Sequence, residues 1–237
     1  LLGQNVNSYG KDLGLGVDFA DLMAEIAQLP GEFWLRFMTS HPKDASKKLF
    51  DTIAKYPKIA KQFHLPFQSG NDRVLKAMNR HYTREEYLKL AHYGRQIMPE
   101  LVLTSDVIVG FPGETEEEFS RTLAFIEKCA FAQMHVFPYS IRPGTKAAGM
   151  PGQIEKSEKA ARAARAAHIA ERMQREYLTS CVGKTLEVIF ETESDGESRG
   201  HAENYTEVAV PGDMPHGVVR KVKITGVRGE MLVGTAL

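Results

Sequence analysis

The stretch Asp106-Val-Ile-Val-Gly-Phe-Pro-Gly-Glu114 joins an apolar run to a Gly/Pro turn and then to the start of a helix. Residues 107–109 are typical of a buried strand, and Thr115 with Glu118 forms the capping-box pattern that begins helices. A buried strand that runs through glycines into a helix is a place where a ligand can approach the backbone closely. The stretch therefore predicts a strand–loop–helix unit with a ligand site at its turn.

Four further stretches have the same order of an apolar run followed by polar, Gly or Pro residues. They cover residues 1–5, 38–42, 65–70 and 137–144. Predicted helices at 18–29, 43–55, 72–78, 83–98 and 116–128 alternate with predicted strands at 33–38, 61–67, 101–109 and 131–137. This alternation favours a parallel sheet, whose strand ends meet at one edge. The five stretches are therefore expected at one end of a β/α sheet or barrel, where such enzymes keep their active sites.

The pattern changes after residues 149–152, Gly-Met-Pro-Gly. Residues 155–178 predict a polar, alanine-rich helix whose basic face either is solvated or contacts an RNA backbone. Its basic residues are Lys156, Lys159, Arg162, Arg165, Arg172 and Arg175. From residue 183, alternating apolar and polar residues predict strands at 185–191, 206–210, 218–225 and 230–236, with turns at 195–196 and 211–212.

The predicted organisation is therefore α/β followed by all-β. Residues 1–147 are expected to form a partial parallel (β/α) TIM-like barrel, and residues 148–180 a connector helix. Residues 181–237 are expected to form a small OB-like β-barrel of four or five strands. Because so small a domain is marginal alone, we expect it to pack on the larger one.

Composition narrows the class of protein. Of the 237 residues, 43% are hydrophobic and 25% charged, as in ordinary soluble globular proteins, and the zero net charge by itself indicates no polyanionic partner. No apolar run approaches the roughly 20 residues of a membrane span, and no signal peptide is visible. Cys129 and Cys181 are too far apart in sequence for a metal-ligand pair and too few for a disulfide framework, which predicts two thiols in a reducing cytoplasm. The chain starts without Met and in mid-strand, which we interpret as a fragment.

Few residues near the predicted strand ends carry recognisable chemistry. No Ser-His-Asp pattern, zinc-ligand spacing, Walker loop or dinucleotide fingerprint is present, so no catalytic residue is assigned. Asp106 is able to bond a ligand hydroxyl, orient a neighbour or tie the barrel mouth together. Glu114 is able to act in the site or only to favour the helix dipole. Gly110, directly after the strand, would let a flat ring lie against the backbone.

The other strand ends carry neutral donors and acceptors, which suit a zwitterionic or nucleoside-like ligand better than a phosphate. They are Gln4, Ser40, Gln68 and Ser69. Arg142 is the one strand-end cation and lies in a Pro/Gly turn, where it can clamp a carboxylate or a nucleic-acid phosphate.

Taken together and in order, residues 1–10, 64–80 and 105–115 resemble the radical S-adenosylmethionine methylthiotransferases, and residues 139–145 (Tyr-Ser-Ile-Arg-Pro-Gly-Thr) are similar to the motif that ends their radical domain. The segment from about residue 181 resembles the TRAM domain, an OB-like RNA-binding barrel. The resemblance implies two 4Fe–4S clusters, one that cleaves S-adenosylmethionine to a 5′-deoxyadenosyl radical and one that delivers sulfur. The implied product is a methylthio group on carbon 2 of the hypermodified adenosine next to the tRNA anticodon.

The resemblance also implies roles for single residues. Ile108 and Gly110 would support the adenine of S-adenosylmethionine, Asp106 would belong to the same cofactor site, and Arg142 would face the substrate. Gln4, Ser40, Gln68 and Ser69 would lie around the methionine and ribose parts of the cofactor. In the small barrel, Tyr205 would stack on a base, and Arg220, Lys221 and Lys223 would form a basic patch. The implied partners of a monomeric enzyme are the tRNA anticodon stem-loop and a reductant for the cluster, with no membrane.

Three features depart from the family's pattern. No Cys-x3-Cys-x2-Cys loop is present, so this chain by itself is expected to bind no cluster and to perform no radical chemistry. Residues 1–115 resemble the branch that acts on isopentenyl-adenosine, whereas residues 134–190 are more similar to the branch that acts on threonylcarbamoyl-adenosine. From residue 182 onward, six Lys/Arg stand against nine Asp/Glu, a net charge of −3, where an RNA-binding surface should be basic.

Two other classes of protein stay open from the residues alone. A cluster-free β/α-barrel enzyme for a phosphorylated metabolite would place a phosphate at residues 113–116, where three glutamates oppose it. A pure RNA-binding module would use the barrel only as a scaffold and would bind tRNA with a steep salt dependence.

Overall fold

The computed structural model describes residues 1–38 and 40–237. The first domain alternates helices and strands as predicted. Its elements are α1 (Phe19–Ala27), α2 (Lys47–Lys55), β1 (Gln62–His64), α3 (Asp72–Ala77), α4 (Arg84–Ile97), β2 (Val102–Val109), α5 (Glu116–Cys129), β3 (Gln133–Pro138) and α6 (Lys156–Cys181). Short 3-10 turns cover Val6–Ser8, Pro42–Asp44 and Lys146–Gly149.

The three strands form a parallel sheet in the order β1-β2-β3, which confirms the predicted parallel β/α architecture. Extended segments continue it beyond β1, since Leu35 bridges Ile59 in parallel and the Met38 N–H donates to the Leu1 carbonyl at 3.1 Å. The strand predicted at 33–38 is wrong as a regular strand, because among the described residues only Leu35 forms a ladder bridge. The predicted strand end at 38–42 includes residue 39, which lies outside the described residues.

Alternation along β2 divides the sheet into two faces. Leu103, Val107 and Val109 are fully buried and pack against the helices, together with Phe63 of β1. Thr104, Asp106 and Ile108 therefore point to the opposite, concave face of the partial barrel, whereas the buried Ser105 lies on the side of the helices.

The second domain is a closed five-stranded barrel with the strand order β4-β5-β6-β8-β7. Its strands are β4 (Thr185–Ser194), β5 (Glu197–Ala202), β6 (Glu207–Pro211), β7 (Val219–Arg228) and β8 (Met231–Ala236). Four of them confirm the predicted strands, and β5 was not predicted as a strand. Its inward residues are Ser198, Gly200 and Ala202, so it lacks the apolar alternation that marks the others. At Gly200 a Cβ would lie 1.9 Å from the Ile189 carbonyl oxygen, so this crossing of strands requires glycine.

Helix α6 belongs to both hydrophobic cores. Ala166, Ala170 and Met173 pack into the core of the first domain, and Leu178 and Cys181 pack into the core of the second. The helix therefore covers the sheet beside α5 as well as joining the two domains.

The basic face of α6 is solvated over most of its length, as one of the two predicted roles requires, but Arg162 is an exception and several of the other arginines are paired with carboxylates. Arg162 is buried, with Nη1 at 3.0 Å from Glu114 Oε2 and Nε at 2.9 Å from Glu158 Oε1. Arg165 pairs with Glu116, and Arg172 pairs with Glu127. The periodicity of α6 alone could not show Glu114, Glu116 and Glu127, because these three carboxylates lie on other segments.

Both cysteines are deeply buried, with Cys129 0% and Cys181 1% exposed, each in a different core. In the part of the chain that the structure describes, no helix is both long enough and apolar enough to cross a membrane.

Candidate functional site at the strand ends

The register of the sheet brings three titratable side chains side by side on its concave face. His64 of β1 is paired with Thr104 of β2, and Asp106 of β2 is paired with His135 of β3. Because residues two positions apart share a face of a strand, Thr104 and Asp106 point the same way. His64, Asp106 and His135 therefore form one row across three neighbouring strands.

A hydrogen-bond chain connects this row. His135 Nδ1 lies 3.1 Å from Asp106 Oδ1, His64 Nε2 lies 3.4 Å from Asp106 Oδ2, and His64 Nδ1 lies 2.9 Å from Thr104 Oγ1. Burial favours the neutral acid, but hydrogen bonds from His64 and His135 outweigh it and lower the pKa of Asp106 below its ordinary value. Asp106 is therefore an anion that ties two imidazoles together, which realises the predicted possibility of orienting a neighbour.

A cavity of about 450 Å³ lies at the carboxyl ends of β2 and β3. Its walls include Gln68, Asp106, Ile108, Phe137, Tyr139 and Arg142. The backbone around Gln68 is fixed, since its N–H donates to the Asp106 carbonyl at 3.0 Å and its carbonyl accepts from the Ile108 N–H at 2.9 Å. Apolar walls with a few polar groups are typical of sites for small organic ligands. The structure thus brings together four predicted site residues: Gln68, Asp106, Ile108 and Arg142.

Three other residues predicted for the cofactor site are not among the cavity walls. Ser69 is 1% exposed, with its hydroxyl 3.4 Å from Thr122 Oγ1 of α5 and accepting from the Asn71 N–H at 3.3 Å. Ser40 is buried, and its hydroxyl has no hydrogen-bond partner among the described residues. Gln4 is exposed in the first loop. Their cofactor roles stay predictions, and for Ser69 the contacts favour a tie to α5 instead.

Gly110 requires glycine because of its backbone and its neighbour. Its φ is +73°, and a Cβ would lie 2.4 Å from Lys159 Cγ, while its predicted contact with an adenine ring stays a prediction. The Gly110 N–H donates to Glu114 Oε2 at 2.7 Å. Glu114 also accepts from Arg162, and its buried environment raises the pKa although Gly110 and Arg162 oppose this effect. The loop 110–114 is therefore held in shape by α6.

The first two strand-end loops hold each other. Asn7 Nδ2 donates to the His41 carbonyl and the His41 N–H donates back to Asn7 Oδ1, both at 3.0 Å. Asn5 Nδ2 donates to Asp44 Oδ2 at 2.7 Å. The side-chain amides of Asn5 and Asn7 are thus engaged in the scaffold of the site.

Tyr205, predicted to stack on a base, joins the two domains. The Arg36 guanidinium lies 5.0 Å from the centroid of its ring, and the His201 ring is stacked on it at 5.0 Å. Arg36 also lies 5.3 Å from the Trp34 ring centroid, and its Nη2 donates to the Ala202 carbonyl at 2.7 Å. Tyr205 is 45% exposed, and its predicted stacking on a base stays a prediction.

The predicted basic patch is exposed but divided. Lys221 and Lys223 lie on the outer face of β7, on either side of the buried Val222, whereas Arg220 alternates with them. Lys221 lies opposite Glu187 of β4, and Lys223 Nζ donates to the Gly183 carbonyl at 2.5 Å. The patch therefore consists of two outward lysines beside a carboxylate.

An iron–sulfur cluster needs a set of thiolate donors close together. Within residues 1–38 and 40–237, no group of three or more His, Cys, Asp or Glu side chains is arranged to hold a metal ion. Such clusters are held by thiolates, and burial raises the pKa of the Cys129 thiol to about 12. The residues of this chain therefore do not fit a 4Fe–4S cluster.

The fold is a partial parallel β/α barrel joined to a small closed β-barrel. The chain belongs to the Radical SAM superfamily, whose family model matches residues 3–126, and the TRAM domain model matches residues 179–237. These matches confirm the family resemblance and the fold class.

Curated relatives share one name, tRNA-2-methylthio-N(6)-dimethylallyladenosine synthase. The relative from Pelotomaculum thermopropionicum is 42% identical over 241 residues, which cover 99% of this chain and 53% of the relative. The relative from Desulfitobacterium hafniense is 44% identical over 216 residues, covering 90% of this chain and 48% of the relative. The chain thus spans about half the length of these relatives. Among solved structures, coproporphyrinogen III oxidase from Escherichia coli shares the fold and is described as a radical SAM enzyme. The TM-score is 0.52 at 13% sequence identity, and the match covers 87% of this chain and 50% of the oxidase chain.

Proposed function

We propose that this chain is the cofactor- and substrate-binding part of a tRNA methylthiotransferase that makes 2-methylthio-isopentenyl-adenosine. The curated relatives carry the name of this activity at 42% and 44% identity. The structural observation that carries the proposal is the cavity at the ends of β2 and β3, which combines Asp106, Ile108 and Gln68 at one strand edge. Parallel β/α folds bind their ligands at this edge.

S-adenosylmethionine is the proposed ligand of this cavity. Ile108 would contact its adenine, and Asp106 would accept a hydrogen bond from a ribose hydroxyl, since a carboxylate has lone pairs beyond the two that face His64 and His135. Gln68 would contact the amino-acid part of the cofactor. The ion pair between Glu114 and Arg162 would hold the loop 110–114 in the conformation that leaves the cavity open. When bound and cleaved, S-adenosylmethionine supplies an adenosyl radical. The residues of this chain would bind S-adenosylmethionine and orient it.

The remaining parts of the proposal concern the whole protein. Two 4Fe–4S clusters, a reductant and the anticodon stem-loop of tRNA are proposed for the full-length enzyme, with Lys221 and Lys223 as the tRNA contacts of the second domain. The division at residues 147/148 and 180/181 is proposed as well. The cytoplasmic location and the monomeric state stay predictions.

Threonylcarbamoyl-adenosine is a second candidate substrate, favoured by one observation. Arg142 lines the cavity, is exposed and forms no ion pair with any described residue. A free guanidinium would bind the carboxylate of a threonylcarbamoyl group in a two-bond arrangement. The isopentenyl group has no such charge.

The decisive experiment uses a full-length protein that contains this chain, purified without oxygen and with reconstituted clusters. It is incubated with S-adenosylmethionine, a reductant, sulfide and tRNA that carries either modified adenosine, and the digested nucleosides are read by mass spectrometry. A methylthio group on isopentenyl-adenosine supports the proposal, and one only on threonylcarbamoyl-adenosine supports the alternative. No product on either tRNA, with intact cluster spectra, would refute both.

Binding of the cofactor is tested on the 237-residue chain by calorimetry with S-adenosylmethionine. We expect Ile108→Glu to abolish binding, because it places a charge against the adenine. Ile141→Glu is the matched control, since Ile141 is 51% exposed and is not a cavity wall. Equal affinity of both variants would argue against this cavity as the cofactor site.

A further inference from the structure

The tautomer of His135 is determined by its neighbours. In a neutral imidazole one nitrogen carries the proton and the other accepts. Because Nδ1 of His135 faces the anionic Asp106 at 3.1 Å, the proton belongs on Nδ1 and Nε2 is left as an acceptor. The second oxygen of Asp106 faces His64, whose other nitrogen is bonded to Thr104. The hydrogen bonds that link Thr104, His64, Asp106 and His135 thus have one consistent set of donors and acceptors.

The surroundings of His135 show where its free nitrogen is available. The His135 side chain is 57% exposed on the concave face of the sheet, whereas His64 is 14% exposed and has both nitrogens engaged. Phe137 lies two residues further along β3, is 50% exposed and is a wall of the cavity, with its ring centroid 6.3 Å from that of His135. A hydrogen-bond acceptor therefore lies directly beside an exposed apolar ring.

This pairing matches one chemical feature of an N6-alkylated adenine. Its N6 nitrogen carries one hydrogen, a donor, next to an apolar substituent. We propose that Nε2 of His135 accepts the N6–H of the substrate adenine while Phe137 contacts the alkyl group, with Asp106 as the positioning residue that fixes the tautomer. The assignment rests on the proposed function, because it takes the substrate from there. It adds two specificity residues on β3, and the sequence analysis assigned a role to neither of them.

The acceptor role is tested by binding two nucleosides to the 237-residue chain and following its amide resonances. N6-isopentenyladenosine has the N6–H, and N6-methyl-N6-isopentenyladenosine lacks it. The unaltered chain should bind the first about fivefold to tenfold more tightly, the range of one neutral hydrogen bond. His135→Phe keeps a ring of similar shape and should remove this preference, and His135→Gln, which retains an acceptor, should restore part of it. His168→Phe, at an exposed position of α6, is the matched control.

The positioning role of Asp106 has a readout that needs no ligand. Nitrogen-15 spectra of the histidine rings should show His135 protonated on Nδ1, with the signal identified by its loss in His135→Phe. In Asp106→Asn the preference for the Nδ1–H form should be lost, and the affinity difference between the two nucleosides should shrink with it.

The outcomes separate this proposal from the proposed function. If the unaltered chain binds both nucleosides equally, or if His135→Phe weakens both by the same factor, the acceptor role is refuted even when full-length enzyme makes the methylthio product. If the product is never formed but the N6–H preference and its loss in His135→Phe are observed, the nucleoside site stands and the assigned reaction does not. Finding His135 protonated on Nε2 in the unaltered chain would overturn the tautomer argument.

Discussion

Asp106 takes its role from two histidines on neighbouring strands. Its own segment predicts a strand end but not these partners, because His135 lies 29 residues away and is brought close only by the register of β2 and β3. The signal was present in the parity of the strands: His64, Asp106 and His135 all fall on the face opposite the apolar residues. The sequence of single residues therefore predicted where the cavity lies. The hydrogen bonds between Asp106 and the two histidines could be found only from the register of the strands.

The same limit applies to Gly110 and Tyr205. Both were predicted to contact a ligand, and both have positive φ, +73° and +66°. The neighbours that the structure gives them, Lys159 and Arg36, come from distant parts of the chain and could not be predicted from their own segments. Residue type alone therefore predicts that a position is special more reliably than it predicts what the position contacts.

The burial of Cys129 leads to a prediction about the reactivity of its thiol. Burial raises the pKa of its thiol to about 12 and leaves 0% of the residue exposed, so the reactive thiolate is nearly absent at neutral pH. We expect no labelling of Cys129 by a thiol-disulfide reagent in the native chain within an hour, and complete labelling in guanidinium. Cys129→Ala, with Cys181 retained, assigns the signal by mass spectrometry; rapid native labelling at Cys129 would contradict the described core.

At the scale of elements, local signals predicted helix starts well. The capping boxes of α4 at Thr83 and Glu86 and of α5 at Thr115 and Glu118 are both formed as predicted. Capping depends on residues within one turn, so the sequence contains the whole interaction. Strand β5 depends instead on its neighbours, because small inward residues fit only where another strand passes closely.

The N-terminus of α5 carries a pH-dependent contribution to stability. Hydrogen bonds from Arg73 lower the pKa of Glu118 to about 2 from its ordinary 4.5, although burial acts in the opposite direction. A carboxyl with a lowered folded pKa stabilises the fold above the unfolded pKa, and this contribution is lost as the pH falls from about 4.5 to about 2. Because the pair is partly solvated, we expect Glu118→Gln to reduce the free energy of unfolding at pH 7 by about 1 kcal/mol.

Urea titrations at several pH values check this prediction. The deficit of Glu118→Gln should disappear near pH 2, and since Gln still completes a capping box, only the charge is removed. Glu117→Gln, which loses an exposed pair with Arg121, should change stability by no more than a few tenths of a kcal/mol. A deficit of Glu118→Gln that is the same at every pH would show that the charge is not its origin.

The buried ion pair between Arg162 of α6 and Glu114 of the loop 110–114 makes a larger contribution to stability. Arg162→Met leaves the fully buried Glu114 carboxylate without its cation, which we expect to cost about 3–5 kcal/mol of unfolding free energy. Adding Glu114→Gln should recover a substantial part, because the buried charge is then removed as well. Arg165→Met, whose pair with Glu116 is exposed, should cost less than about 1 kcal/mol. Denaturant titrations of the three variants decide the question, and additive losses in the double variant would exclude a direct pair.

At the scale of the whole molecule, two cores are joined by α6 and by the contacts of Arg36. The sequence predicted that the small barrel packs on the larger domain. It did not predict how, because the contact needs a cation from the first domain between two aromatic rings, one from each domain. A cleft of about 220 Å³ lies beside this contact, with Thr104 and Gln133 on one side and His201 and Tyr205 on the other.

Arg36→Ala should loosen the second domain from the first. The change removes a cation–π sandwich and the hydrogen bond to the Ala202 carbonyl, together about 1–2 kcal/mol of coupling. We expect small-angle scattering to show a larger radius of gyration and thermal unfolding to become less cooperative. Arg220→Ala, on the exposed surface of β7, should leave both measurements unchanged. An unaltered scattering curve for Arg36→Ala would mean that α6 alone fixes the two domains.

Helix α6 has a mechanical consequence. Its early turns are fastened to the loop beside the cavity through Arg162 and Lys159, and its last turn is part of the core of the second barrel. From residue 162 to residue 181 a straight helix spans about 28 Å, so a tilt of roughly 5° at the loop end displaces the other end by about 2.5 Å. A change in the shape of the loop 110–114 that tilted α6 would therefore also move the second barrel, so the rigidity of this one helix sets how closely the loop and the barrel are coupled.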